Sequence, residues 1–363
     1  MGDIEKAGNV LPEQIAEVAH SLIIDIRSLI DSGKAQVAQA VNQELVMLYW
    51  SIGHRIRNDI MHQQRAEYGQ QVVTLLGAQL TQEYGRGFSN KNLFRMIGFV
   101  EAFPSQEIVS TLSRQLSWSH FLELLPVRDS LEREFYAEMC RIEHWSVRAL
   151  RSKIDGMLYQ RTAISRKPDP LIRTELDALR TEDRLTPDLV FRDPYFLDFL
   201  GLEDAYSEQD LETAILRELE RFLLELGTGF AFLARQKRMS VGGEDFYLDL
   251  LFFHRNLHCL VAVDLKLGRF TASHKGQMEL YLRWLEANEQ RSDENPPLGL
   301  VLCSAKNEEQ VKLLQLDSGH IRVAEYMMEL PQRDVLTQKI HEAVRRARIA
   351  AEARLLDKGS IRE

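Results

Sequence analysis

Cysteine is scarce in this chain of 363 residues. Cys140, Cys259 and Cys303 are far apart and odd in number. That excludes a disulfide framework, and no two of them have the spacing of a zinc pair. Long apolar runs are also missing: nothing approaches the roughly 20 residues of a membrane span. The opening MGDIEKAGNVLPEQ is polar and has no apolar stretch after basic residues, so no leader peptide is expected. Positive charge is outnumbered. A formal net charge of −9 argues against coating nucleic acid by bulk attraction, yet leaves room for a local basic groove. No GxxxxGK phosphate loop is present, which disfavours an ATP-driven motor, and the ten histidines form no close-spaced metal pattern. A cytoplasmic protein without a membrane segment is the expectation.

What is present is enough apolar sequence, 45%, for two cores, and the length suits two domains. Residues 1–165 read as a helical domain. Apolar residues recur at helical spacing over Leu11–Leu29 (Ile15, Val18, Leu22, Ile23, Ile26), and a second long helix is predicted from Lys34 past Ile60. Further helices are expected at Tyr68–Tyr84, Asn90–Phe103, Trp118–Leu125, Leu131–Glu143 and Ser146–Gln160. Trp50, Trp118 and Trp145 are expected to pack between them. Residues 166–208, polar and broken by Pro168, Pro170, Pro187 and Pro194, read as a linker with a short packed element around Tyr195–Leu202. From residue 209 to 332 the periodicity changes. One amphipathic helix, Leu211–Leu226, ends at Gly227. Strand-like runs follow at Phe230–Gln236, Phe246–His254 and Cys259–Lys266. Then come a helix at Ser273–Gln290, a strand at Leu298–Cys303, another helix and a strand at Ile321–Tyr326. The order is that of an α/β layer. Residues 333–363 close the chain as a charged helix.

Two of the predicted strands carry an anomaly. Asp249 interrupts the apolar run FYLDLLFFH, and Asp264 and Lys266 interrupt CLVAVDLK. Strand side chains alternate, so Asp264 and Lys266 share a face. Burying a carboxylate without a partner costs several kcal/mol, and a divalent cation is one form of compensation. A short turn at Arg255–His258 would set the two strands side by side and bring Asp249 and Asp264 together, with Lys266 placed to offset charge on a phosphate. An Asp-x-Lys pair on a solvated sheet face is the competing reading.

With these residues in view, the chain resembles the PD-(D/E)XK nuclease superfamily and, within it, the two-domain YhcG-like nucleases. The matching stretches are YGRGFSNKNLFRM, LSWSHFLELL, WSVRALRSKI, FLLELGTGFAFLARQKR, FYLDLLFFHR, VAVDLKLGRF, GQMELYL and PPLGLVLC, spread over nearly the whole chain. The resemblance implies an all-helical N-terminal domain followed by a restriction-endonuclease-like α/β domain. It implies a Mg²⁺-dependent phosphodiesterase site, with Mn²⁺ as an alternative ion. Asp249 takes the first acidic position, Asp264 the (D/E) position and Lys266 the lysine. The superfamily's proline before the first aspartate is Leu248 here. By the same resemblance Glu212 is a third candidate metal ligand, and Gln277 and Tyr281 match a Gln-x-x-x-Tyr element beside the active site. A helix-start glutamate and an ordinary mixed helix face are the competing readings.

Arg235, Gln236 and Lys237 close the first strand and are candidates for nucleic-acid contact, Gln236 for a place near the site; a solvated turn is equally compatible. Lys91 and Arg95 project from a helix that Ser89 could cap, a layout suited to phosphates or a groove and also to a plain surface helix. The expected activity is metal-dependent hydrolysis of phosphodiesters, with DNA as the expected partner and a homo-oligomer compatible with the sequence. A nuclease fold that only binds nucleic acid, and a dimerisation scaffold built on the N-terminal helices, are the alternatives.

Overall fold

The computed structural model describes residues 12–61, 66–202, 206–314, 316 and 319–360. Helix periodicity dominates the first third. The helices are α1 (Pro12–Met61), α2 (Ala66–Tyr84), α3 (Asn90–Ala102), α4 (Gln106–Leu112) and α5 (Trp118–Leu124). They fall in one compact unit, up to Arg133 together with His144–Val147. Its core sets Val73, Leu93 and Met96 against Tyr49 and Ile52, and rings of Phe99, Phe103, Phe121 and Trp118 meet edge-on or tilted. Gly53 is required here. A Cβ at this position would lie 2.0 Å from the carbonyl oxygen of Met96, so α1 and α3 approach backbone to backbone.

Three local expectations change in this unit. Two helices were expected before residue 61, and α1 is a single helix of 50 residues. Gly33 costs about 1 kcal/mol in a helix, too little to break it. Leu11 and the side chains of Ile15, Val18 and Leu22 lie outside the described residues. Ser89 precedes α3, but its side chain makes no cap hydrogen bond.

The second unit comprises Glu134–Glu143 and the chain from Arg148 onward. Its helical part holds most of α6 (Ser130–Glu143) and α7 (Val147–Asp155), then α8 (Leu158–Arg161), α9 (Asp169–Glu182) and α10 (Pro187–Val190). After β1 (Tyr195–Phe196) come α11 (Glu208–Arg217), α12 (Leu219–Leu226), β2 (Phe230–Val241), β3 (Glu244–His254), β4 (Cys259–Arg269), α13 (Ala272–Asn288), β5 (Leu298–Ala305), α14 (Glu308–Leu313), β6 (Ile321–Met327) and α15 (Arg333–Ser360). The six strands form one sheet in the order β1-β6-β5-β4-β3-β2. β2, β3 and β4 are antiparallel, and β4, β5, β6 and β1 are parallel. α13 crosses from β4 to β5, and its Met278, Tyr281 and Leu285 pack with Leu251, Ala262 and Val301.

Residues 166–208 do not act as a linker, and the boundary between units falls earlier than residue 165. Ile172, Leu176, Leu179, Tyr195 and Leu197 are fully buried, and β1 adds a parallel strand through Tyr195↔Tyr326. The polar residues that suggested exposure are paired internally. Asp193 meets Lys306 and Arg166, while Arg161 and Arg192 converge on Glu225. Burial alone would raise the Asp193 carboxyl, but the Lys306 and Arg166 cations hold it down at about 2. The single helix expected over Leu211–Leu226 is divided at Glu218 (φ −104°, ψ 31°) into α11 and α12. Gly227, at φ 125°, ends α12 and donates its N–H to the Leu223 carbonyl.

The hairpin turn between β3 and β4 is closed by His254, whose Nδ1 accepts from the Leu257 N–H. Burial lowers its pKa to about 4, so the ring is neutral in the fold. A depressed histidine contributes stability that is present above the ordinary value of about 6.5 and lost as pH falls toward the folded value. The expected loss between pH 7 and pH 4 is about 3 kcal/mol from this group. Urea denaturation at the two pH values checks it: His254→Gln should show a shallower decline than the wild type, and an equal decline would place the acid sensitivity elsewhere.

Candidate active site

β3 and β4 pair in a register of Leu250↔Val263 and Phe252↔Val261, so Asp249 and Asp264 are the next residues facing each other along the hairpin. There the ladder gives way. The Leu265 N–H donates to Asp249 Oδ2 at 2.7 Å. The two carboxyls lie within hydrogen-bonding reach of each other, Asp264 buried to 1% exposure and Asp249 half-buried. Lys266, two residues on and on the same face, brings Nζ to 3.0 Å from Asp264 Oδ2. That oxygen is buried and has no aligned hydrogen-bond donor. Burial pushes the Asp264 carboxyl well above the ordinary carboxylate range; the neighbouring Asp249 adds to the shift and Lys266 opposes it.

β2 supplies the next piece. Gln236 lies between the pairs Arg235↔Leu250 and Lys237↔Leu248, opposite Asp249, in the left-handed region at φ 44°. A non-glycine residue there costs about 1–2 kcal/mol. Its amide reaches both Glu212 Oε2 (2.7 Å) and Asp249 Oδ1 (3.1 Å). Glu212, on α11, is 8% exposed and its pKa is raised by burial, with Asp249 adding to the shift. On α13, Gln277 Nε2 donates to Tyr281 Oη at 2.6 Å, and that hydroxyl donates to the Tyr247 carbonyl. Burial and the nearby Asp264 charge raise the Tyr281 pKa.

Asp249, Asp264, Lys266, Glu212, Gln236 and Tyr281, with Gln277 bonded to Tyr281, are therefore gathered at one place. Arg235 is close enough to Glu212 to favour its ionised form. Lys237 instead pairs with Glu289 at 2.6 Å. Lys91 and Arg95 belong to the first compact unit, Lys91 exposed and Arg95 bonded to Asn92 Oδ1. One residue not anticipated is Glu208. Its Oε1 accepts from the Leu267 N–H, and its Oε2 lies 3.8 Å from Lys266 Nζ. It sits one helical turn before Glu212, outside the helix expected from Leu211 onward.

Among the described residues no three acidic, histidine or cysteine side chains form a ready-made cage for an ion. Two carboxylates do converge, one with an unsatisfied buried oxygen, and a third is joined to them by the Gln236 amide. This donor set fits a hard divalent cation, since Mg²⁺ is commonly held by one or two carboxylates plus waters and phosphate oxygens.

A mixed sheet with paired aspartates and an Asp-x-Lys strand, flanked by helices, defines a nuclease domain of the PD-(D/E)XK class. Residues 188–341 match the YhcG PDDEXK nuclease domain, and residues 25–161 match the DUF1016 N-terminal domain. The chain is 36% identical over 344 residues to the Escherichia coli (strain K12) protein named "Putative nuclease YhcG", covering 86% of this chain and 91% of that one. It belongs to this family of nucleases, and no helix among its described residues is long and apolar enough to cross a membrane. Partial likeness extends to the crystal structure of a repair endonuclease from Pyrococcus abyssi (18% identity, 36% of this chain, 50% of that chain, TM-score 0.25). It extends also to the structure of an EndoMS–dsDNA complex (20% identity, 34% and 46%, TM-score 0.24).

A carboxyl whose pKa is raised by folding contributes stability that is present below its ordinary value and lost as pH rises through the folded value. In chelator at pH 8, Asp264→Asn should therefore be more stable than the wild type by about 1–2 kcal/mol, with the gap closing toward pH 4. Added Mg²⁺ or Mn²⁺ should raise the wild-type melting temperature and leave that of Asp264→Asn unchanged. Thermal denaturation reads both; a variant less stable than the wild type in chelator would contradict the account.

Proposed function

We propose that the chain hydrolyses phosphodiester bonds in DNA, with Mg²⁺ held by Asp249 and Asp264 and with Glu212 within reach through Gln236. The observation that carries this reading is the convergence of two buried or half-buried carboxylates and a lysine on adjacent strands. A bound divalent ion supplies charge neutralisation at the phosphate and lowers the pKa of bound water. The chain's own residues do the rest. Asp264, destabilised as a buried anion, favours a cation over solvent. Lys266, whose protonation burial opposes but Asp264 and Glu208 sustain, places a positive charge where negative charge develops on phosphoryl oxygens. Gln236 orients Asp249 and Glu212 together. Tyr281 and Gln277 wall the site from the α13 side. Lys91 and Arg95 on α3, and Arg235 on β2, are the proposed phosphate contacts that position the substrate.

The roles separate by substitution. Asp264→Ala should reduce Mg²⁺-dependent cleavage at least about 10³-fold and abolish metal binding. Lys266→Ala should slow cleavage about 10²-fold with metal binding retained, because lysine is not a ligand. Both should bind DNA nearly as tightly as the wild type, since phosphate contacts elsewhere supply most of the affinity. Paired gel-shift, calorimetric and cleavage measurements on duplex and single-stranded DNA check this. An Asp264→Ala protein that cuts at the wild-type rate would remove the assignment.

A further inference from the structure

The first compact unit carries a surface that the nuclease reading does not use. On α1, Ile23 and every residue from Asp25 to Val41 are exposed, so the apolar side chains of this stretch are not buried by the rest of their own unit. In proteins most helical stability comes from packing an amphipathic face. Such a face exists. Ile23, Ile26, Ile30, Val37 and Val41 are spaced 3, 4, 7 and 4 residues apart and are 47–65% exposed. At about 100° per residue they fall within an arc of about 60°, forming a seam about 27 Å long. Further along, Gln39 and Asn42 bond the carbonyls of Arg114, Ser113 and Leu116, anchoring the helix to its own unit and holding the stripe in place.

The chemistry of the stripe's borders selects the partner. Between Ile23 and Val41 the only charges are Asp25, Arg27, Asp31 and Lys34, which cancel. That suits neither a phosphate backbone nor an anionic membrane surface, both of which need clustered lysine and arginine. Arg27, Asp31 and Lys34 border the stripe on one side, and Leu29, Gly33 and Ala40 on the other. In a parallel helix pair one border meets the other, setting charge against apolar surface. In an antiparallel pair each border meets itself. A two-fold axis at Leu29 then places each Arg27 beside the partner's Asp31. It sets Leu29, 72% exposed, against its own counterpart, and interleaves Ile26 and Ile30 with the partner's Ile30 and Ile26.

We propose that α1 pairs antiparallel with α1 of a second copy of the chain about Leu29, residues 23–35 of one lying along residues 23–35 of the other, making the protein a two-fold dimer. Size-exclusion chromatography with light scattering on the full chain should give a dimer at micromolar concentration. Ile26→Asp with Ile30→Asp should weaken it at least about 100-fold, because four charges, two from each copy, are forced into the seam. Arg27→Asp should weaken it, and adding Asp31→Arg to that variant should restore it, since the pair is exchanged and not lost. The geometry has its own readout. Ile30→Cys lies beside the axis and should cross-link to its mate on oxidation. Val41→Cys, 12 residues from the axis, should not, its mates being about 36 Å apart. A monomeric wild type, a dimer indifferent to the two aspartates, or cross-linking at both cysteine positions would each overturn the proposal.

Discussion

A carboxylate held almost free of solvent in the middle of an apolar strand is the constraint around which the second unit is organised. Asp264 occupies a position on β4 where the flanking Val263 and Leu265 are wholly buried. An ionised group there costs several kcal/mol unless it is compensated. The fold compensates only in part. Lys266 approaches one oxygen without aligning on it, and Asp249 adds a second acid where a cation would relieve the strain. The neighbouring strands and helices are arranged about this imbalance. β3 gives up a ladder bond so that Asp249 can take the Leu265 N–H, β2 places Gln236 in an unfavourable conformation to reach two acids at once, and α11 buries Glu212 and directs the exposed Glu208 toward Lys266 and the Leu267 N–H.

The opposite solution is found among the charges between Arg161 and Lys306. There each buried acid has cations beside it, and the result is structural. Asp193 is held by Lys306 and Arg166, accepts the Glu325 N–H, and so fixes the segment before β1 against β6. Glu225 collects Arg161 and Arg192 and accepts the Phe196 N–H. With cations beside each acid, these groups rigidify; left incomplete, as at Asp264, they retain capacity for a ligand.

The same distinction explains what could be read from the chain in advance. The three central strands, the α13 crossover and the closing strand follow from the change to period-two and continuous apolar patterns after residue 209, and their observed limits differ from expectation by a few residues. Asp249, Asp264 and Lys266 were legible because a charge inside an apolar strand is conspicuous. Glu208 was not, because a glutamate in the first turn of a helix is ordinary, and only its distance from Lys266 makes it a member of the site. Residues 166–208 were misleading for a related reason: prolines and charges look alike whether solvated or paired with one another in the interior.

The amino-acid sequence by itself determined the succession of a helical half and an α/β half, because periodicity is a local property that survives without knowledge of the partner surface. It also determined the acid–lysine pattern on two strands. Only the tertiary structure decided that Gln236 faces Asp249, that Lys237 turns away to Glu289, and that α1 runs unbroken past Gly33 with its apolar stripe uncovered. The first two depend on strand register and on a single left-handed residue, settled by contacts between residues far apart in the chain; the third depends on which surfaces find a neighbour.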